Sequence, residues 1–247
     1  MDAAKPLIEM ARATTDPSVY ATAYYFCESA PRDARGACAP ISAAGWARLD
    51  PENIFPQLLA RSPGPYVDRL FKMPADNPPN DLPLPTALYD RRALRFDRVM
   101  SQDVFKQEPL YMQTVINQWL IGESFAPDVR AIQAIYAFCR PAEVGRAVRL
   151  QACSDLTNLM GEQGKSYMDL SLALKLGADG RLPGTQFEKL KAEEINYCEH
   201  IDPLPDGVSG YSCEGMAMTV KYFADVFARG DRAVAAEVIS RKLPGKS

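Results

Sequence analysis

Apolar side chains recur along this chain at intervals of three and four residues, the period of a helix with one buried face. Asp16-Pro17 is an N-cap residue followed by proline at the first helical position, and Val19, Ala23, Phe26 and Cys27 then fall on one face. Residues 30–41 are broken by proline and glycine and read as a loop. Asp50-Pro51 repeats the cap and predicts a helix near 51–61, with a short one near 65–72. Thr86 caps a predicted helix that turns Leu88, Ala93, Leu94, Phe96, Val99 and Met100 inward. The next, near 109–121, carries Leu110, Val115, Ile116, Trp119 and Leu120.

From Pro127 the helical pattern is nearly continuous. Val129, Ile132, Ile135, Tyr136 and Phe138 mark a helix ending near Cys139, and Pro141 opens another with Val144, Val148, Ala152, Leu156 and Leu159 in register. Met168, Leu172 and Leu176 define a helix near 165–176, with Gly177 at its stop. Further helices are predicted near 185–199, 211–229 and 232–241, with Gly230-Asp231 as a stop-then-cap pair. Asp179-Gly180 and Asp206-Gly207 are flanked by turn residues rather than by alternating runs, so neither reads as a hairpin. The expected fold is all-α: about ten helices in stacked antiparallel hairpins. No constant repeat period is present.

Residues 74–85, PADNPPNDLPLP, contain five prolines and no periodicity. They predict an extended connection between an N-terminal helical segment, 1–73, and a main helical domain, 86–247, unless the whole is one continuous domain. The chain of 247 residues is 47% hydrophobic and 24% charged, enough to bury a sizeable core. A net charge of −3 provides no field to hold nucleic acid by charge. No stretch of about 18 apolar residues exists, so no membrane span is expected.

The 6 cysteines fall into local pairs, Cys27 with Cys38, Cys139 with Cys153 and Cys198 with Cys213. Each span fits a helix end, a turn and the start of the next helix, so this sequential pairing is the expected one. Closing such a loop contributes on the order of 3 kcal/mol. An even count paired by proximity favours an oxidising compartment, the periplasm or the exterior. Six free thiols would instead place the chain in the cytoplasm. The first residues lack the apolar run of a signal peptide, so export implies a mature chain that carries a new initiator Met.

Candidate chemistry is sparse. With 1 histidine, a Cys198–His200 nucleophile pair is the sole His-based dyad near a thiol, and residues two apart on a helix do not face each other. Gly161-Glu-Gln-Gly164-Lys165-Ser166 lacks the first glycine of a phosphate loop and follows a helix, so it reads as a helix–turn–helix corner. No metal ligand set, no cofactor and no catalytic residue is assigned. Glu193, Glu194, Glu199, Asp202 and Asp206 form the most acidic stretch, which would suit a carboxylate-dependent hydrolase of cell-wall glycan or a solvated helix face. Arg91, Arg95 and Arg98 share one face of the predicted 86–100 helix and would suit an acidic protein partner. Arg140, Arg146 and Arg149 flank the middle cysteine pair. Tyr25 lies off the Val19–Ala23–Phe26 face and is a candidate exposed anchor.

The segment from Arg149 through Cys153 and the Gly164 turn to Gly177 resembles exported helical proteins of bacteria that have no known activity. The likeness covers roughly 30 residues and implies helical hairpins and export. The expected function is that of a non-enzymatic periplasmic protein-binding protein, an inhibitor or immunity protein against a secreted toxin or hydrolase. A carboxylate-dependent cell-wall hydrolase and a cytosolic helical scaffold with free thiols are the alternatives.

Overall fold

A computed structural model of the chain describes residues 4–30, 35–61, 147–200 and 213–242, together with 95, 96, 113, 131, 135 and 139. Most of the described residues are helical, with one isolated parallel bridge between Asn53 and Arg95 and no strand among them. The expected 74–85 connection and the predicted helix near 65–72 lie outside them, and of the predicted helix near 109–121 only residue 113, which is helical, is described.

The N-terminal elements are α1 (Ala4–Ala13), α2 (Pro17–Ser29), α3 (Arg35–Cys38), α4 (Ala43–Leu49) and α5 (Ile54–Arg61). Asp16 caps α2 as its sequence predicts, with its carboxylate accepting from the Ser18 N–H at 2.8 Å. Helix α2 is buried on every side from Tyr20 to Tyr25, which marks a central helix rather than an amphipathic surface one. Helices α1 and α4 pack on it, and α5 packs on α4. Trp46 of α4 is 1% exposed and sits amid Tyr24, Tyr25 and Phe55, with ring centroids at 5.9, 6.0 and 5.8 Å. Phe96 extends this aromatic chain, edge-on to Phe55 at 5.6 Å.

Two expectations fail here. Asp50-Pro51 does not open a helix: Asp50 ends α4, and α5 begins at Ile54. The Asp50 carboxylate is turned inward, where it accepts from Asn53 at 3.0 Å and from Arg95 at 3.1 Å. Residues 95 and 96 are not helical either. The Arg95 backbone bonds to Glu52 and Ile54 on both sides, so this part of the predicted 86–100 helix is extended.

The C-terminal elements are α6 (Ala147–Gln163), α7 (Tyr167–Leu176), a π-helical turn (Gly177–Arg181), α8 (Gly184–His200), α9 (Cys213–Arg229) and α10 (Asp231–Lys242). The α6–α7 pair is a helical hairpin, and its corner is the Gly161–Ser166 segment. Ser166 caps α7 with a reciprocal box: its hydroxyl accepts from the Asp169 N–H, and the Asp169 carboxylate accepts from the Ser166 N–H. Gly177 does not stop α7 by a left-handed turn. Its φ is −68°, and the Leu182 side chain occupies the place of a Cβ. The buried Arg181 then reaches back to the carbonyls of Leu176 at 3.0 Å and Cys139 at 2.7 Å.

One buried cluster runs from Leu7 to Phe227 and unites both groups of helices, and a smaller one gathers Tyr167, Leu170, Leu174, Leu182, Leu190 and Ala235. Disulfides Cys27–Cys38 and Cys139–Cys153 form as expected, with Cα separations of 5.5 and 5.7 Å. The expected Cys198–Cys213 bridge does not form: Cys198 is a free, exposed thiol. That pairing assumed that α8 and α9 make a hairpin. The extensive packing of α9 is on α10 instead, while α8 packs on α7 and α10.

Gly230, between α9 and α10, has φ +86°, and an added Cβ would strike the backbone of Lys165. A Gly230→Ala variant is therefore expected to lose about 3 kcal/mol of stability, from positive-φ strain together with the clash. Urea unfolding measures this, and an unchanged midpoint would contradict the close approach.

Candidate partner-binding site

Of the residues expected to meet a partner, Tyr25 and Arg95 are described. Tyr25 is 1% exposed, edge-on to both Tyr24 and Trp46, and is a core residue rather than an anchor. The misjudgement has a physical source, because a helix buried all round has no solvent face to which an off-stripe residue can belong. Arg95 is committed to Asp50 through both guanidinium nitrogens, at 3.1 and 3.4 Å. Its backbone is extended rather than helical, and Arg91 and Arg98 lie outside the described residues. A shallow cleft of about 190 Å³ beside this pair is lined by Asp16, Pro17, Ser18, Trp46, Asp50, Asn53 and Arg95.

The acidic stretch is divided among structural tasks. Glu193 gives both carboxylate oxygens to Arg232, at 2.9 and 2.8 Å. Arg232 is the hub of the α6–α7 corner: it also donates to the carbonyls of Gly161 at 3.1 Å and Gly164 at 2.7 Å. These carbonyls end α6 and have no helical partner of their own, so a cation is favoured there. Glu194 takes the hydroxyl of Ser171. Glu199 lies near the end of α8, and Asp202 and Asp206 are outside the described residues. Beside this hub Tyr167 stacks on Tyr197 with planes 22° apart, and the Asp231 carboxylate accepts from the Tyr167 N–H at 3.2 Å. Burial raises the phenols of Tyr167, Tyr197 and Tyr222 above their ordinary range, Glu193 adds to this at Tyr167 and Asp231 at Tyr197 and Tyr222, so all three are neutral hydroxyls at neutral pH.

A second cleft opens where α1, α2 and α4 meet. It holds about 300 Å³ and is lined by Ala11, Arg12, Thr14, Tyr20, Pro40, Gly45, Arg48 and Leu49. Arg12 lies in the last turn of α1 and Arg48 in the last turn of α4, and both are exposed. The Tyr20 hydroxyl forms part of the floor, accepting from the Ser42 N–H at 3.2 Å and reaching the Pro40 carbonyl at 3.5 Å. Gly45 lets it sit there, because a Cβ at that position would collide with the phenol. Sequence reading missed this site because α1 and α4 had not been assigned. The one signal was the apolar spacing of Leu7, Ile8 and Ala11, which puts Arg12 at the edge of a buried stripe. Among the described residues no group of three metal-binding side chains converges. No family model matches this chain, and no curated protein or solved structure is similar to it.

Proposed function

We propose that this chain is a non-enzymatic protein-binding protein of an oxidising compartment, the periplasm or the cell exterior, acting as an inhibitor or immunity protein against a secreted toxin or hydrolase. The observation that carries this reading is the placement of two local disulfides on a close-packed helical core: Cys27–Cys38 ties α2 to α3, and Cys139–Cys153 ties residue 139 to α6. Crosslinks of this kind suit an oxidising compartment. They also preorder the surface above them, so that less conformational entropy is lost when a partner docks. The cell-wall hydrolase alternative has less support, because Glu193 and Glu194 are engaged with Arg232 and Ser171.

The test uses the oxidised chain as bait in a periplasmic extract, with a parallel incubation on peptidoglycan. The reading expects one protein retained at equimolar ratio and no soluble glycan fragments. Fragment release that disappears in Glu194→Gln or Glu199→Gln would overturn it.

A further inference from the structure

The cleft between α1, α2 and α4 is lined by two arginines, Arg12 and Arg48, and among the described residues by no carboxylate. Four other described arginines are paired with carboxylates: Arg95 with Asp50, Arg229 with Asp225 and Glu237, Arg232 with Glu193, and Arg241 with Glu237. Among the described residues no carboxylate lies within ion-pair distance of Arg12 or Arg48. We propose that a partner protein inserts an aspartate or glutamate side chain into this cleft, its carboxylate held by Arg12 and Arg48 together. This names the partner chemistry of the protein-binding reading above and rests on it.

Each arginine sits in the last turn of its helix, where the helix dipole favours a cation. That accounts for each position alone, but not for two arginines lining one cleft. Like charges facing a common space repel, and an anion between them replaces that repulsion with two attractions. Guanidinium is the group suited to the task, because its planar fork donates two parallel hydrogen bonds to a carboxylate. At about 300 Å³ the cleft is at the lower limit for a small-molecule site and fits one or two side chains of a docking segment. Its floor is fixed in advance by the Tyr20 hydroxyl against Gly45 and Ser42, and by the Cys27–Cys38 bridge that holds α2 to α3 just before Pro40. The chain as a whole carries −3, so the cation pair is a local exception and not part of a generally basic surface.

The probe is a glutamate-rich decapeptide, acetylated and amidated, followed by fluorescence anisotropy at low salt, with its glutamine counterpart as control. We expect saturable one-to-one binding of the glutamate peptide alone. Arg12→Gln and Arg48→Gln should each weaken it about tenfold. Arg229→Gln, at an exposed arginine on another face, should leave it unchanged. Thermal melts of the three variants check that the fold is retained. No binding, or equal weakening by Arg229→Gln, would overturn the assignment. Displacement of the peptide by equimolar acetate or sulfate would also overturn it, by showing a site for small free anions. If the equimolar bait complex persists in the Arg12→Gln/Arg48→Gln variant, the cleft assignment fails while the protein-binding reading survives. Glycan fragment release defeats that reading independently of the peptide result.

Discussion

Replacing Trp46 by alanine is expected to remove about 4 kcal/mol of stability. Trp46 is among the largest fully buried side chains and touches aromatic rings from α2 and α5. Truncation discards the transfer free energy of the indole and leaves a void between helices that the remaining rings can close only in part. It also discards the edge-on ring contacts with Tyr25 and Phe55, each worth about 1 kcal/mol beyond burial. For a chain of this size the melting temperature should fall by roughly 8–16 °C. Thermal unfolding followed by circular dichroism measures the effect. A shift below about 2 °C would show that the aromatic chain is not the centre of the N-terminal core.

Reducing the protein should have a still larger effect. The two bridges close loops with sequence separations of 11 and 14 residues, and each contributes about 3 kcal/mol through the unfolded chain. They tie different elements, so their contributions should add to about 6 kcal/mol. Against a typical total of about 5–15 kcal/mol, that loss brings the chain close to unfolding at growth temperature. Urea unfolding with and without dithiothreitol gives the difference. Alkylation of the native, unreduced protein before peptide mapping gives the chemistry: Cys198 should be labelled, and Cys27, Cys38, Cys139 and Cys153 should not. Labelling of all four bridged cysteines, or equal stability of the oxidised and reduced forms, would contradict both the bridges and the compartment.

Local signals carried much of the fold. Asp16-Pro17 capping α2, the Gly161–Ser166 corner between α6 and α7, and Gly230 between α9 and α10 act within a few residues, and each was legible in the chain. The adjacent cysteine pairs were legible for the same reason where their helix ends meet. What was not legible depends on contacts distant in sequence. The short helix α4, of 7 residues, spans too few turns to show a repeating pattern and is held by Trp46 against α2 and α5. Asp50 reads locally as a cap, yet it is claimed by Arg95, which lies 45 residues away. Tyr25 reads as off-face until α1 and α4 are seen to enclose α2. Cys198 and Cys213 have the spacing of a bridge, but α9 packs on α10 instead. The Arg12–Arg48 cleft belongs to this second class: neither arginine has a motif, and only the approach of α1 to α4 across α2 makes them one site.

Hydrogen–deuterium exchange on the chain, free and in complex with the equimolar protein captured by the bait, is the most direct test. The account predicts slowed exchange in Ala4–Ala13 and Ala43–Leu49, the helices that carry Arg12 and Arg48. The helices from Gly184 to Lys242 should be unchanged. Absence of a complex, or protection confined to those C-terminal helices, would contradict it.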